Sequence, residues 1–204
     1  RDSLGIDLGD PLVNDLSNTG VVQATLDGQV STGLTRPDYF NWPAELQADL
    51  PKYEPDVIVI MIGANDPQDF LGPPDVPYGS PQWDALYAQR VGTFLQEATS
   101  TRAQVVWVGM PPMEDATRSA EMAHIDSLVQ SQVAARPNAF YVSSTTAIGG
   151  PLGGYSAYVL HDGQEVNVRE PDGTHISPGG GELLSQTVMA VSYTHLTLPT
   201  ILRV

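Results

Sequence analysis

A doubly wound α/β domain with a parallel sheet is the fold class this sequence predicts, and three observations carry the prediction. Val57-Ile58-Val59-Ile60-Met61-Ile62 is an unbroken apolar run between Pro55-Asp56 and Gly63, too short for a helix. Bounded by turn residues and rich in β-branched types, it reads as a strand buried on both faces. Gln104 to Met110 repeats the pattern and stops at Pro111-Pro112. Helical stretches separate these runs, and strand alternating with helix is the signature of a parallel sheet covered on both sides. A chain of 204 residues is a natural size for one such domain, and neither an internal repeat nor a domain boundary is visible.

Leu4, Leu8, Leu12 and Leu16 recur every four residues, an apolar helical stripe over residues 4–17 that Pro11 could kink. Val21 to Leu26 reads as a strand closed by Asp27-Gly28, Ser31 to Leu34 as a loop, and Trp42 to Leu50 as a helix leading to the central strand. Pro67 to Pro81 holds five prolines and two glycines, too long for a tight connection, and reads as an ordered flap beside a site. Trp83 to Ser100 and Asp115 to Ala135 are helical, and Ala139 to Val142 is a further strand. Gly149 to Gly154 is a glycine-rich loop. Tyr155–Leu160 and Gln164–Arg169 alternate around Asp162-Gly163 as a small hairpin. Pro171 to Pro178 is a loop, and Gly181 to Ala190 begins the last helix.

Both ends depart from this pattern. A sheet of this class needs a strand ahead of the first helix, and the sequence opens at the turn where that strand would finish. The first strand is therefore expected to be missing, leaving an open slot between residues 21–26 and 57–62 and poor anchorage for Arg1 to Leu4. Ser192-Tyr193-Thr194-His195-Leu196-Thr197-Leu198-Pro199-Thr200 lacks helical periodicity, and its back-translation resembles a transposase adapter of sequencing libraries. Residues 1–190 are thus expected to form the domain and 191–204 a non-native tail, which removes His195 from functional argument.

Asp plus Glu outnumber Lys plus Arg 24 to 9, a formal charge of −15 that repels nucleic acid and anionic lipid. Without cysteine there is no disulfide, thiolate metal site or Cys nucleophile. No apolar run approaches a membrane span and no signal peptide is visible. His124, His161 and His175 lack metal-ligand spacing, and no glycine-rich phosphate motif follows a strand. Neither a metal nor a nucleotide cofactor is expected.

Five positions could carry chemistry. Ser3 precedes the first helix, where its backbone N–H and the helix dipole would favour an oxyanion, although an N-capping serine is the plainer reading. Gly33 lets an oxygen approach its N–H, or is a turn glycine. Asn65 offers a side-chain donor just after the central strand, on the edge where open α/β sheets place ligands, or merely ends that strand. In Asp172-Gly173-Thr174-His175, the aspartate could accept the imidazole Nδ1–H and leave Nε2 free to take a serine proton. The alternative is a surface turn with an incidental histidine. His124 reads as half-buried or solvated, and His161 as an exposed hairpin tip.

Together, Asp2-Ser3-Leu4, Gly33, Gly63-Ala64-Asn65-Asp66 and Asp172-Gly173-Thr174-His175 resemble, in order, the four sequence blocks of the SGNH hydrolases, or GDSL esterases. They span nearly the whole chain. Residues 33–40 and Trp107 to Met113 further resemble a bacterial, cell-envelope-associated branch of poorly characterised function. One departure is plain: Arg1 stands where the first block has glycine.

The resemblance implies a flavodoxin-like three-layer α/β/α fold, no cofactor, and a periplasmic or extracellular setting. It implies hydrolysis of acyl esters of a small molecule or carbohydrate, with O-acetyl esters on envelope carbohydrate one candidate, through a Ser3–His175–Asp172 triad. The oxyanion hole would comprise the N–H groups of Ser3 and Gly33 and the Asn65 amide. An O-acyltransferase using the same triad and an inactive envelope-binding domain are the competing classes.

Overall fold

The computed structural model describes residues 2–200, with side chains for 2–193. Three strands, β1 (Val57–Ile60), β2 (Gln104–Val108) and β3 (Ala139–Val142), pair in parallel in the order β1-β2-β3. Ile58 lies opposite Val105, and Val106 opposite Phe140. The crossovers are α3 (Pro81–Ala98) and α4 (Ala116–Ala134), both packed on one face. The other face carries α1 (Ser3–Asn18), the short α5 (Ser144–Ile148) and α6 (Pro178–Thr200).

Alternation along the strands builds these two cores. Val105 and Trp107 point to one face, where they join Trp83, Tyr87, Ile125 and Val129. Val106 and Val108 point to the other and meet Leu4, Leu8, Leu184 and Val188. Residues i and i+2 share a face of a strand, so one apolar run feeds both layers. The result is the expected three-layer α/β/α sandwich. A further helix, α2 (Trp42–Tyr53), leads into β1, and the hairpin β4 (Tyr158–His161) and β5 (Gln164–Asn167) stands apart as its own two-stranded sheet.

Several expectations need correction. Residues 21–26 form irregular backbone and not a strand. Between them and β1 lies a cavity of about 940 Å³ lined by Val21, Val22, Ala24, Val57, Ile58 and Val59 among others. The separation deprives residues 21–26 of the ladder partner a strand requires. β1 is the edge of the described sheet, so Val57 to Val59 are half-buried where burial on both faces was expected. Asp2 to Leu4 are firmly held, with Asp2 and Leu4 fully buried; Arg1 lies outside the described residues.

Pro11 sits within α1 without ending it. The backbone of α6 continues as helix to Thr200, into the tail expected from residue 191 onward, and Val191 packs against the core; the side chains of 194–200 and all of 201–204 lie outside those described. The flap at 67–81 is ordered: Phe70 and Val76 are buried and exchange both backbone hydrogen bonds. Among the described residues, no helix is long and apolar enough to cross a membrane.

Candidate active site

The carboxyl edge of the sheet gathers the predicted residues. Asp2 caps α1, its Oδ1 accepting from Gly5 N–H at 3.1 Å. Ser3 is therefore the first helical residue and not the cap. Its N–H belongs to the first-turn donors that have no acceptor within the helix. The second Asp2 oxygen accepts from both Gly63 and Ala64 N–H, each at 3.0 Å. One carboxylate thus ties the start of α1 to the end of β1, which places Ser3 beside Asn65. Burial pushes the Asp2 pKa up to about 6, against the opposing pull of its three N–H donors.

His175 Nε2 lies 3.2 Å from Ser3 Oγ, and His175 Nδ1 lies 2.7 Å from Asp172 Oδ2. The hydrogen-bond network assigns the tautomer: Nδ1–H donates to Asp172, leaving Nε2 to accept from the Ser3 hydroxyl. The other Asp172 oxygen accepts from the N–H groups of Thr174 and His175, both at 2.9 Å. Gly173 makes this turn with φ +69°, and the Glu114 side chain fills the space a Cβ there would need. Those hydrogen bonds hold the Asp172 pKa down to about 2, led by the bond from the His175 ring. The same bond raises the His175 pKa above its ordinary value, more than burial lowers it.

A second carboxylate steadies the pair. Asp7, one turn along α1 from Ser3, accepts the Ile176 N–H at 3.0 Å and pins the loop just after His175. Its own pKa is raised by burial, and its charge adds to the upward shift on His175.

On the opposite side, Asn65 Nδ2 donates to the Thr32 carbonyl at 3.0 Å. That bond orients the amide, and its second N–H stays available. It also holds the Gly33 loop against Asn65. Asp66 secures the same loop, accepting from Thr35 N–H and from the Tyr87 hydroxyl, each at 2.8 Å. Arg90 donates to the carbonyls of Leu34 and Thr35 at 2.7 and 3.2 Å. Asp66 is fully buried, which raises its pKa despite these donors. Glycine is required at position 33 because the Asp66 carboxylate occupies the Cβ direction, a tighter reason than substrate approach.

Sequence reasoning proposed Ser3, Gly33, Asn65, Asp172 and His175 as site residues, and the fold brings them to one edge. It missed the positioning roles of Asp2, Asp7, Asp66 and Arg90. An aspartate directly before a helical stripe is an N-cap signal that could have flagged Asp2. The other histidines lie elsewhere. His124 bonds Tyr78 at 3.1 Å and pairs with Asp84 at 3.0 Å, and His161 sits at the end of β4. Among the described residues, Asp27, Glu45 and Asp49 bring three carboxylates close enough to share a cation. Asp27 and Asp49 line the cavity beside β1, not the Ser3 site.

This arrangement can activate a serine oxygen, receive its proton, and offer converging N–H donors to a developing negative charge. The fold recurs in solved structures at low identity. A GDSL-like lipase from Bacteroides thetaiotaomicron aligns with TM-score 0.63 and 14% identity, over 96% of this chain and 86% of that one. A catalytic mutant of an acetylxylan esterase from Geobacillus stearothermophilus aligns with TM-score 0.61 and 15% identity, over 91% and 79%. An alpha/beta hydrolase enzyme from the metagenome of Lake Arreo, Spain, gives TM-score 0.61 and 17% identity, over 93% and 81%. No curated protein matches the sequence. The family model described as "Protein of unknown function (DUF459)" matches residues 2–191. The chain belongs to that family and has the SGNH hydrolase fold.

Proposed function

We propose that this chain is a serine esterase that cleaves acyl esters through an acyl-enzyme. The observation that carries the reading is the chain of contacts from Ser3 Oγ to His175 Nε2 and from His175 Nδ1 to Asp172. Ser3 Oγ attacks the acyl carbon while its proton passes to His175 Nε2. The oxyanion is received by the N–H groups of Ser3 and Gly33 and the free N–H of Asn65. Each such donor typically contributes roughly 3 kcal/mol to transition-state stabilisation. His175 then returns the proton to the leaving alcohol, and the acyl group stays on Ser3. In the second half, water gives a proton to His175 and attacks the acyl carbon, and His175 returns that proton to Ser3 Oγ as the bond from the acyl carbon to Oγ breaks and the acid leaves. Asp172 orients the ring and stabilises the imidazolium throughout. The residues named need no metal or organic cofactor for these steps.

The neighbours and the site support a substrate class. The esterase fold relative acts on acetylated xylan, which supports an O-acetyl or other short acyl ester on carbohydrate. The envelope-type residues 33–40 and 107–113 support a cell-envelope setting, periplasmic or extracellular. The Asp172 and His175 side chains are 51% and 38% exposed, so the acyl-enzyme is open to a sugar hydroxyl as well as to water. That openness favours an O-acyltransferase as the second reading.

The deciding experiment is labelling by a fluorophosphonate, followed by mass mapping of the modified peptide. Modification at Ser3 that disappears in His175→Ala is the expected result. Unlabelled Ser3 in a folded chain would leave only a binding role for the fold. Product analysis with an acyl donor, with and without a sugar acceptor, separates hydrolysis from transfer.

A further inference from the structure

Arg169 is a buried cation beside the candidate site whose hydrogen bonds are incomplete. The residue is 2% exposed, and its Nη2 donates to the Pro112 carbonyl at 2.8 Å. Nε and Nη1 are buried and have no hydrogen-bond partner among the described residues. Nε carries one N–H and Nη1 two, so three donors lack an acceptor. A buried guanidinium is ordinarily matched to a carboxylate, and this sequence has 24 acidic residues to supply one. Instead, burial lowers the Arg169 pKa to about 10, and the opposing influence is the Tyr155 phenol.

The position ties this group to the site. Arg169 forms an isolated antiparallel bridge with Ile176, the residue after His175. Pro112, its one acceptor among the described residues, belongs to the loop leaving β2, and in that loop Glu114 N–H donates to the Gly173 carbonyl at 3.0 Å. The Tyr155 ring covers the guanidinium at 5.8 Å. Tyr155 follows the glycine-rich segment Gly149 to Gly154, in which Leu152 is fully exposed. A cover mounted on such a segment can be displaced without disturbing the sheet.

We propose that Arg169 is an anion-recognition residue beside the Ser3–His175 site, taking a carboxylate or phosphate group carried by the substrate once Tyr155 moves aside. Planar N–H donors in a desolvated site recognise an oxyanion through charge-assisted hydrogen bonds, and the surrounding acidic surface would not retain one otherwise. The assignment of that anion to a substrate rests on the esterase reading of Ser3. The anion site itself does not.

The test has two arms. In the first, thermal midpoints of the wild-type chain, Arg169→Lys, Arg169→Met and Tyr155→Ala are measured with sodium succinate or sodium phosphate against sodium chloride at equal ionic strength. Succinate or phosphate should raise the wild-type midpoint, and whichever does so names the anion. Both Arg169 variants should lose the effect, and Tyr155→Ala should change the half-saturating concentration by about threefold or more. If Arg169→Met does not fold, Arg169→Lys and Tyr155→Ala carry the comparison.

In the second arm, kcat/KM is compared for 4-nitrophenyl acetate and the 4-nitrophenyl half-ester of succinic acid. The charged-to-neutral ratio should fall about tenfold in Arg169→Lys, mainly through KM. No anion-specific shift in the wild type, the same shift in the Arg169 variants, or an unchanged ratio would overturn the proposal. An anion shift that persists while Ser3 resists phosphonate would instead overturn the esterase reading and leave the anion site standing.

Discussion

The carboxylate of Asp66 stands where a side chain on Gly33 would have to go. Because Asp66 is fully buried and held by Thr35 and Tyr87, it cannot retreat to solvent. Gly33→Ala must therefore move the Gly33 loop away from Asn65. Overpacking of this kind costs about 1–3 kcal/mol, and one displaced oxyanion donor lowers kcat by about 100-fold or more. Denaturant titration and steady-state kinetics check both numbers, with KM expected to change little. Wild-type kcat in Gly33→Ala would remove Gly33 from the oxyanion hole.

The acidic limb of the pH–rate profile should lie above the ordinary histidine value of about 6.5. His175 must be neutral to accept the serine proton, and its contact with Asp172 favours the charged ring. Asp172→Asn removes that influence, so the limb should move to lower pH while kcat drops about 10⁴-fold. A limb unmoved by this substitution would mean that another group titrates.

The same pair makes opposite contributions to stability. The raised His175 pKa gives stabilisation that is complete below the unfolded value of about 6.5 and is lost as pH rises through the folded pKa. The lowered Asp172 pKa gives stabilisation present above about 3.8, lost as pH falls towards about 2. Urea midpoints of the wild type and Asp172→Asn should therefore converge at the acid end. Parallel profiles would refute the coupling.

Ser3→Ala and His175→Ala should each remove nearly all turnover, and the double variant should be little worse than either. Residues that act as one unit are strongly non-additive, with single losses of about 10⁴ to 10⁶. Single-turnover measurements with an activated ester read the comparison directly. Losses that multiply would show two independent roles.

Asp2→Asn should lower stability by about 1–3 kcal/mol, because an amide cannot satisfy Gly5, Gly63 and Ala64 as a carboxylate does. It should also flatten the pH dependence. With a folded pKa of about 6, the neutral form of Asp2 favours folding fully below about 3.8, an advantage lost as pH rises through 6. Denaturant unfolding between pH 4 and 7 reads both effects. An unchanged slope in Asp2→Asn would assign that titration elsewhere.

The cavity beside β1 predicts an engineering outcome. Asp2 is bonded to the residues that follow β1, so a short apolar strand fused ahead of it would run alongside Val57–Ile60 and enter the 940 Å³ space. Burying two or three Val or Ile side chains there gives roughly 1.5–3 kcal/mol each before ordering costs. The unfolding midpoint should rise, and protection of the β1 amides from exchange should increase. No gain from any apolar fusion would show that the space does not accept a strand.

Much of this protein was legible from local pattern. The apolar runs at 57–62 and 104–110 supply the parallel strands β1 and β2, the second buried between two covering layers and the first half-buried at the sheet edge. The Leu4, Leu8 and Leu12 stripe had to lie against them. Ser3, Asn65 and the Asp172–His175 turn fell at element ends, where backbone donors and polar side chains point out from the sheet edge. Local sequence reached that far because periodicity and turn chemistry act over a few residues.

Tertiary structure decided what depends on partners distant in sequence. Val21–Leu26 has strand composition, but a strand exists only with a ladder neighbour, and here a cavity lies between it and β1. Asp2, Asp7 and Asp66 look like three of many acidic residues in this chain. Their roles arise only when folding brings Gly63, Ile176 and Thr35 within hydrogen-bond reach and excludes water around them. Desolvation also sets the direction of their pKa shifts, and burial is a property of the assembled fold. The same holds for Arg169, whose buried and incompletely bonded guanidinium becomes visible only once Pro112 and Tyr155 close around it.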